Sequence, residues 1–206
     1  MSRIAIIGAG DLGHLLARHI DCSPDDEVAG FFDDYADTSA HCLLGRTDDV
    51  ELHFSKNAFD ALLIGVGYCH FGFRQQLYQR LSPDIPFATL RHPSAWIAPD
   101  AQTAAGSVIL PGTVLDAGVN IGPNVLINAG VTIAHDSSVS SHSFIAPGVT
   151  IAGFVNVGER VFLGTGTTVI DGLNICDDAR TGAGAVVTTE IRNPGLYLGV
   201  PARLRE

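Results

Sequence analysis

The chain has 206 residues, a formal net charge of −10, and 46% hydrophobic against 17% charged residues. That length fits one large domain or two small ones, with ample apolar content for a core. The acidic balance argues against nucleic acid or an anionic membrane surface as a partner, because phosphate binding needs basic clusters.

Residues 3–7 (RIAII) predict a short buried strand. GAGDLG follows, and then a helix with Leu12, Leu15, Leu16 and Ile20 on one face. A second strand is expected over 27–32 (EVAGFF), ending at Asp33 and Asp34. A third is expected over 60–66 (DALLIGV), closed by Gly65 and Gly67. The spacing predicts a helix from Phe71 to Leu81 and a fourth strand over 85–90 (IPFATL). Strands alternating with helices argue a small, parallel, Rossmann-like α/β sheet over residues 1–91. HPSAW (92–96) reads as a linker, punctuated by Pro93 and Pro99.

From Ile97 to Val187 every sixth position is Ile, Leu or Val, as in Ile109, Leu115, Ile121, Ile127 and Ile133, except for Thr103 and Thr181. A second register two residues earlier is small or aliphatic throughout, as in Val119, Val125 and Val131. A helix would give a period of 3.6 and a lone strand a period of 2. A sustained period of six means a parallel β-helix of hexapeptides, three sides to a coil of eighteen residues. About five coils are expected over residues 92–206, with an irregular tail from Pro194.

The cysteines (Cys22, Cys42, Cys69, Cys176) form no CxxC pair, which fits reduced thiols in a cytoplasmic protein. The N-terminus shows no signal-peptide pattern, and no apolar run is long enough to span a bilayer.

Gly8, Gly10 and Gly13 form GxGxxG between a strand and a helix. Such a turn lets backbone N–H groups and a helix start meet a phosphate, or serves only as a tight connection. Asp33 and Asp34 follow at the distance where a carboxylate could hold a ribose hydroxyl. The eight histidines are His14, His19, His41, His53, His70, His92, His135 and His142. His135 lies two residues beyond the inward slot Ile133, so it belongs at a corner, either as a solvated residue or as a general base. Asp136 could orient it. Asn128 reads as a turn or ladder residue, or as a substrate contact. No ligand set with zinc spacing is present, so no metal is expected.

Taken in order, IIGAGDLG, GFFDD, FATLRHPSAWIAPDA, INAGVTIAHD, FIAPGVTIAG, VFLGTGTTV, TGAGAVVT and GVPAR resemble the bacterial sugar O- and N-acyltransferases, of the sialic acid O-acetyltransferase and nucleotide-amino-sugar N-acetyltransferase type. The resemblance covers nearly the whole chain. It implies a left-handed β-helix, a homotrimer, acetyl-CoA as donor and a nucleotide-linked sugar as acceptor on the α/β domain. It implies His135 as general base and Asp136 as the acid that follows it. Substrate contacts are implied at Gly8, Gly10, Asp11, Leu12, Asp33, Asp34, Gly65 and Asn128. Donor contacts are implied at Gly153, Thr165 and Ala183, with Phe144 standing where many members carry a second histidine.

The expected activity is N-acetylation of a nucleotide-linked amino sugar for surface glycan synthesis. O-acetylation of sialic acid or a related sugar is the alternative. A non-catalytic trimeric rod and an NAD-linked enzyme are rivals of other classes. Asp11 would repel a diphosphate if it faced one.

Overall fold

The computed structural model describes residues 1–36 and 42–205, so His41 lies outside the described residues. The chain divides into two compact units, Met1–Leu90 and Arg91–Glu206.

In the first unit β1 (Ser2–Ile7), β2 (Asp26–Phe32), β3 (Leu43–Gly45) and β4 (Ala61–Ile64) form a parallel sheet in the order β3-β2-β1-β4. The neighbouring strands β1 and β4 are apolar runs with Ile4 to Ile7 and Ala61 to Ile64 buried, as parallel strands covered on both faces must be. Helix α1 (Asp11–Ile20) links β1 to β2 and turns Gly13, Leu16 and Ile20 inward. Helices α2 (Val50–Ser55) and α3 (Phe71–Leu81) follow β3 and β4. Phe32, Phe59, Leu62, Leu77 and Leu81 share one apolar cluster.

Two elements, β3 and α2, go beyond the sequence expectation, because three and six residues are too few for periodicity to register. The expected strand over 85–90 is corrected: only an isolated bridge, Phe87 to Leu62, forms there, and a two-residue strand begins at Leu90. Pro86 has no N–H to give a ladder, although its carbonyl accepts from the Leu62 N–H.

The second unit is a parallel β-helix of about six turns, not five. Its two-residue rungs repeat every eighteen residues: Val114–Leu115, Thr132–Ile133, Thr150–Ile151 and Thr168–Val169 pair in register on one side. Three sheets of five, six and eight strands make the sides. The tail is not irregular. Gly195–Leu198 pairs in parallel with Ala179–Thr181, and Arg203–Leu204 folds back on it as an antiparallel strand. This covers a strand edge that the end of a solenoid would otherwise expose.

Inside, Ile121, Ile127, Ile133, Ile145 and Ile151 are fully buried in one continuous stack. Each such side chain contributes about 1.5–3 kcal/mol by leaving water. Hydroxyls in the second register are buried too and are satisfied by turn carbonyls: Ser137 donates to Ala152 O at 2.9 Å and Ser143 to Gly158 O at 2.8 Å.

The sides meet at turns with their own period of six. From Gly106 to Gly184 every sixth residue has positive φ. Eight of these are glycine, which adopts that conformation freely, and the others are Asn124, Asp136, His142, Phe154, Arg160 and Asp178. Backbone bonds stack the turns into three edges. One carries Pro111, Ala129, Pro147, Thr165 and Ala183; a second carries Ala117, His135 and Gly153; the third runs through Pro123, Ser141 and Glu159.

Candidate active site

In the first unit a cavity of about 440 Å³ opens at the carboxyl ends of β1, β2 and β4. The chain steps outward from β1 to β2 and β3, then crosses to the other side of β1 for β4. Such a switch point leaves a crevice where ligands of open α/β sheets bind. Gly8, Gly10, Asp33, Asp34 and Gly65 line it, as expected, together with Tyr35, Thr47, His70 and Phe73. None of these four was anticipated, although His70 and Phe73 follow β4 at the sheet's carboxyl edge.

The glycines do different work. A β-carbon on Gly8 would stand 3.1 Å from the Gly65 backbone, and one on Gly65 would stand 2.7 Å from the Gly13 Cα. Gly8, Gly13 and Gly65 therefore let α1 settle against β1 and β4. Gly10, the N-cap of α1, has φ −80° and ψ −171°, and a β-carbon there would meet nothing. Among the glycines of the cavity wall, Gly10 and Gly67 are the two where the missing side chain leaves open space.

Asp33 accepts from the Ala9 N–H at 2.7 Å and from the N–H groups of Tyr35 and Ala36. Burial opposes its ionisation, but these three donors outweigh burial and hold the carboxyl below its usual range. Asp34 accepts from the Thr47 N–H and hydroxyl. Both acids thus frame the cavity by tying loops together. Asp11 is exposed in the first turn of α1 and Leu12 is partly buried; neither lines the cavity.

On the second edge of the β-helix, His135 is exposed and its Nδ1 lies 3.0 Å from Asp136 Oδ2. Ionised carboxylate only accepts, so in the neutral ring that bond puts the proton on Nδ1 and leaves a lone pair on Nε2. Asp136 has φ 55° and packs over Gly118, where a β-carbon would stand 2.7 Å from its Oδ1. One turn later Gly153 backs onto the imidazole: a β-carbon there would stand 2.8 Å from Cε1 and 2.9 Å from Nε2. Phe154 meets the His135 ring at 5.0 Å and 88°. Among the described residues, no backbone carbonyl accepts the Gly153 N–H.

The other expected residues lie elsewhere on the solenoid. Thr165 and Ala183 are exposed on the first edge, joined by the Gly184 N–H to Thr165 O bond at 2.8 Å. Phe144 is nearly buried on a flat side, tilted against Phe162 at 5.9 Å. Asn128 accepts from the Ala129 N–H through Oδ1 and makes no hydrogen bond to His135. His142 is on the third edge, buried, with Nδ1 3.0 Å from Asn124 Nδ2, and so is remote from His135 in the stacking of turns. Among the described residues no helix is long and apolar enough to cross a membrane.

Residues 3–81 match the PglD N-terminal domain, and residues 118–153 match the bacterial transferase hexapeptide repeats. PerB from Caulobacter crescentus, solved with CoA and GDP-perosamine, is 28% identical, with a TM-score of 0.91 over 100% of this chain and 98% of its own. The acetyltransferase domain of PglB from Neisseria gonorrhoeae, solved with acetyl coenzyme A, is 25% identical, with a TM-score of 0.88 over 99% of each chain. WeeI from Acinetobacter baumannii shares the fold at 23% identity and a TM-score of 0.82, over 100% of each chain. With a PglD N-terminal domain match, bacterial transferase hexapeptide repeats and end-to-end similarity to solved acetyltransferases, the chain has their two-part architecture and is an acetyltransferase.

Proposed function

We propose that the protein N-acetylates a nucleotide-linked amino sugar, with acetyl-CoA as donor and His135 as general base. The observation that carries this reading is the His135 edge: an exposed imidazole with its Nδ1 on Asp136 and its Nε2 over the bare Gly153. In that tautomer Nε2 accepts the proton that the sugar amine loses as it attacks the thioester carbonyl. The Asp136 carboxylate then stabilises the imidazolium. The unpaired Gly153 N–H is a donor for the oxyanion that forms on the thioester carbon. The thiolate of CoA departs with the proton that His135 returns, so no covalent acyl-enzyme is required.

The switch-point cavity takes the nucleotide end of the acceptor. Gly10 supplies the open wall at the start of α1, where a phosphate is favoured by the helix dipole and free N–H groups. Thr165 and Ala183 offer a second exposed edge for the pantetheine arm of the donor. They do not share an edge with His135, which supports a homotrimer in which one copy's base edge meets the next copy's donor edge.

The test is release of CoA thiol with UDP-, GDP- and CMP-linked amino sugars and with their hydroxyl counterparts. His135→Ala should lower kcat by about 10²–10⁴, the usual yield of general-base catalysis, with the fold intact. Full activity in that variant would overturn the mechanism. Turnover only with the hydroxyl counterparts would replace N- by O-acetylation.

A further inference from the structure

Phe154 is the one bulky apolar residue among the left-handed turn positions of the solenoid. Its φ is 59°, a conformation in which a β-carbon is strained, and its side chain is 59% exposed. Both features are unfavourable, and glycine, which fills most of the equivalent turns, would relieve both. The other non-glycine turn residues carry polar groups that bond along the edge: Asn124 with His142, Asp136 with His135, and Arg160 with Asp178. Phe154 has no such group. What its ring does touch is the imidazole of His135, edge-on at 5.0 Å and 88°. Its backbone N–H also donates to His135 O at 3.1 Å, fixing the two turns in register.

We propose that Phe154 is a positioning residue that holds the His135 imidazole in its reactive orientation. The inference rests on His135 being the base. The ring of His135 then has two constraints, Asp136 fixing Nδ1 and Phe154 blocking its remaining swing, while the absent side chain of Gly153 leaves room beneath the ring. An exposed imidazole held by a single hydrogen bond would otherwise rotate about χ2 and exchange that bond for water. Strain and exposure that persist at a reacting group, while glycine serves at most of the equivalent turns, are the signature of a local cost retained for function.

The experiment compares Phe154→Gly, Phe154→Leu and Phe154→Tyr with His135→Ala and the double variant His135→Ala/Phe154→Gly, using the acceptor that the wild type turns over. Phe154→Gly should fold with unchanged or raised Tm and keep the wild-type oligomeric mass. It should lose kcat by roughly 10-fold, as expected for a misoriented reacting group, with KM for both substrates within about twofold. Tyrosine should restore most of the rate and leucine part of it. In the His135→Ala background Phe154→Gly should have no further effect, because a residue acting through His135 has nothing left to position. Imidazole ¹⁵N spectra, which need no acceptor, should change from a single Nδ1–H tautomer to an averaged pair.

A wild-type kcat and spectrum in Phe154→Gly would overturn the proposal. So would loss of the assembly in that variant, which would make Phe154 a contact between copies. A fully active His135→Ala would instead remove the reading beneath it, and so is distinguishable.

Discussion

Gly153→Ala gives the sharpest test of the His135 edge. The ideal β-carbon stands 2.8 Å from Cε1 and 2.9 Å from Nε2 of the imidazole. Carbon contacts are comfortable from about 3.5 Å, so the ring must retreat by roughly 0.6 Å or swing off Asp136. Because the ring is the outer end of an exposed side chain, that retreat strains no backbone. Gly153 is not a positive-φ glycine either, so alanine is conformationally acceptable there. Tm should therefore be nearly unchanged. Catalysis is less forgiving: a displacement of about 1 Å at a reacting group costs up to about 100-fold, so the smaller shift here predicts a fall in kcat of roughly 10- to 50-fold. Steady-state kinetics with each substrate varied is the assay, and both KM values should stay near wild type. Wild-type kcat in Gly153→Ala would refute the argument, since it would mean that the imidazole works from another orientation.

Three further outcomes are expected. Gly10→Val places a side chain in the open wall of the cavity without meeting protein, so it should raise KM for the sugar nucleotide and leave that for acetyl-CoA unchanged; an unmoved sugar KM would show that the acceptor bypasses the cavity. Folding lowers the Asp33 pKa, so its stabilisation is complete above the unfolded value of about 3.9 and is lost as pH falls from there through the folded value. Asp33→Asn should accordingly lower Tm at neutral pH and flatten the acid limb of the Tm–pH curve, and an unchanged limb would remove Asp33 from that account. Light scattering should give about three times the mass of one chain, and co-expressed His135→Ala and Ala183→Trp chains should recover part of the activity that each lacks alone; a stable, active monomer would contradict the shared groove.

The solenoid was legible in the sequence because burial repeats: Ile121, Ile127 and Ile133 face one dry axis, and no other fold asks for an aliphatic residue every six positions. The turns were legible by the same period and were passed over, because Asn124, Asp136, His142, Phe154, Arg160 and Asp178 interrupt the glycines that would have marked it. In the α/β unit, strand, glycines and helix agreed locally, and the sheet followed. The fourth strand failed at Pro86, where the apolar pattern was right but a missing N–H decided the pairing. Tyr35, Thr47, His70 and Phe73 could not be read as cavity residues, since what joins them is the strand order β3-β2-β1-β4 and not their spacing. His135 was placed at a corner by arithmetic from Ile133. That its ring lies over Gly153, eighteen residues on, follows only from stacking one turn on the next.

That stacking is also the reason for the proposal to put the chemistry at an edge. Inward positions of the solenoid are sealed, and on the flat sides the backbone groups of rungs such as Thr132–Ile133 are used up between turns. Only at a turn does a residue leave the ladder with its side chain in solvent and a neighbouring N–H unpaired. The second edge brings the His135 imidazole, the Asp136 carboxylate and the bare Gly153 together within two turns. The first edge offers Thr165 and Ala183, on glycine-rich turns whose outer surface is main chain. A prism cannot fold one of its edges onto another. If both edges serve one reaction, they must come from different copies, and the requirement for a partner then follows from the geometry of a three-sided coil rather than from any feature of the interface.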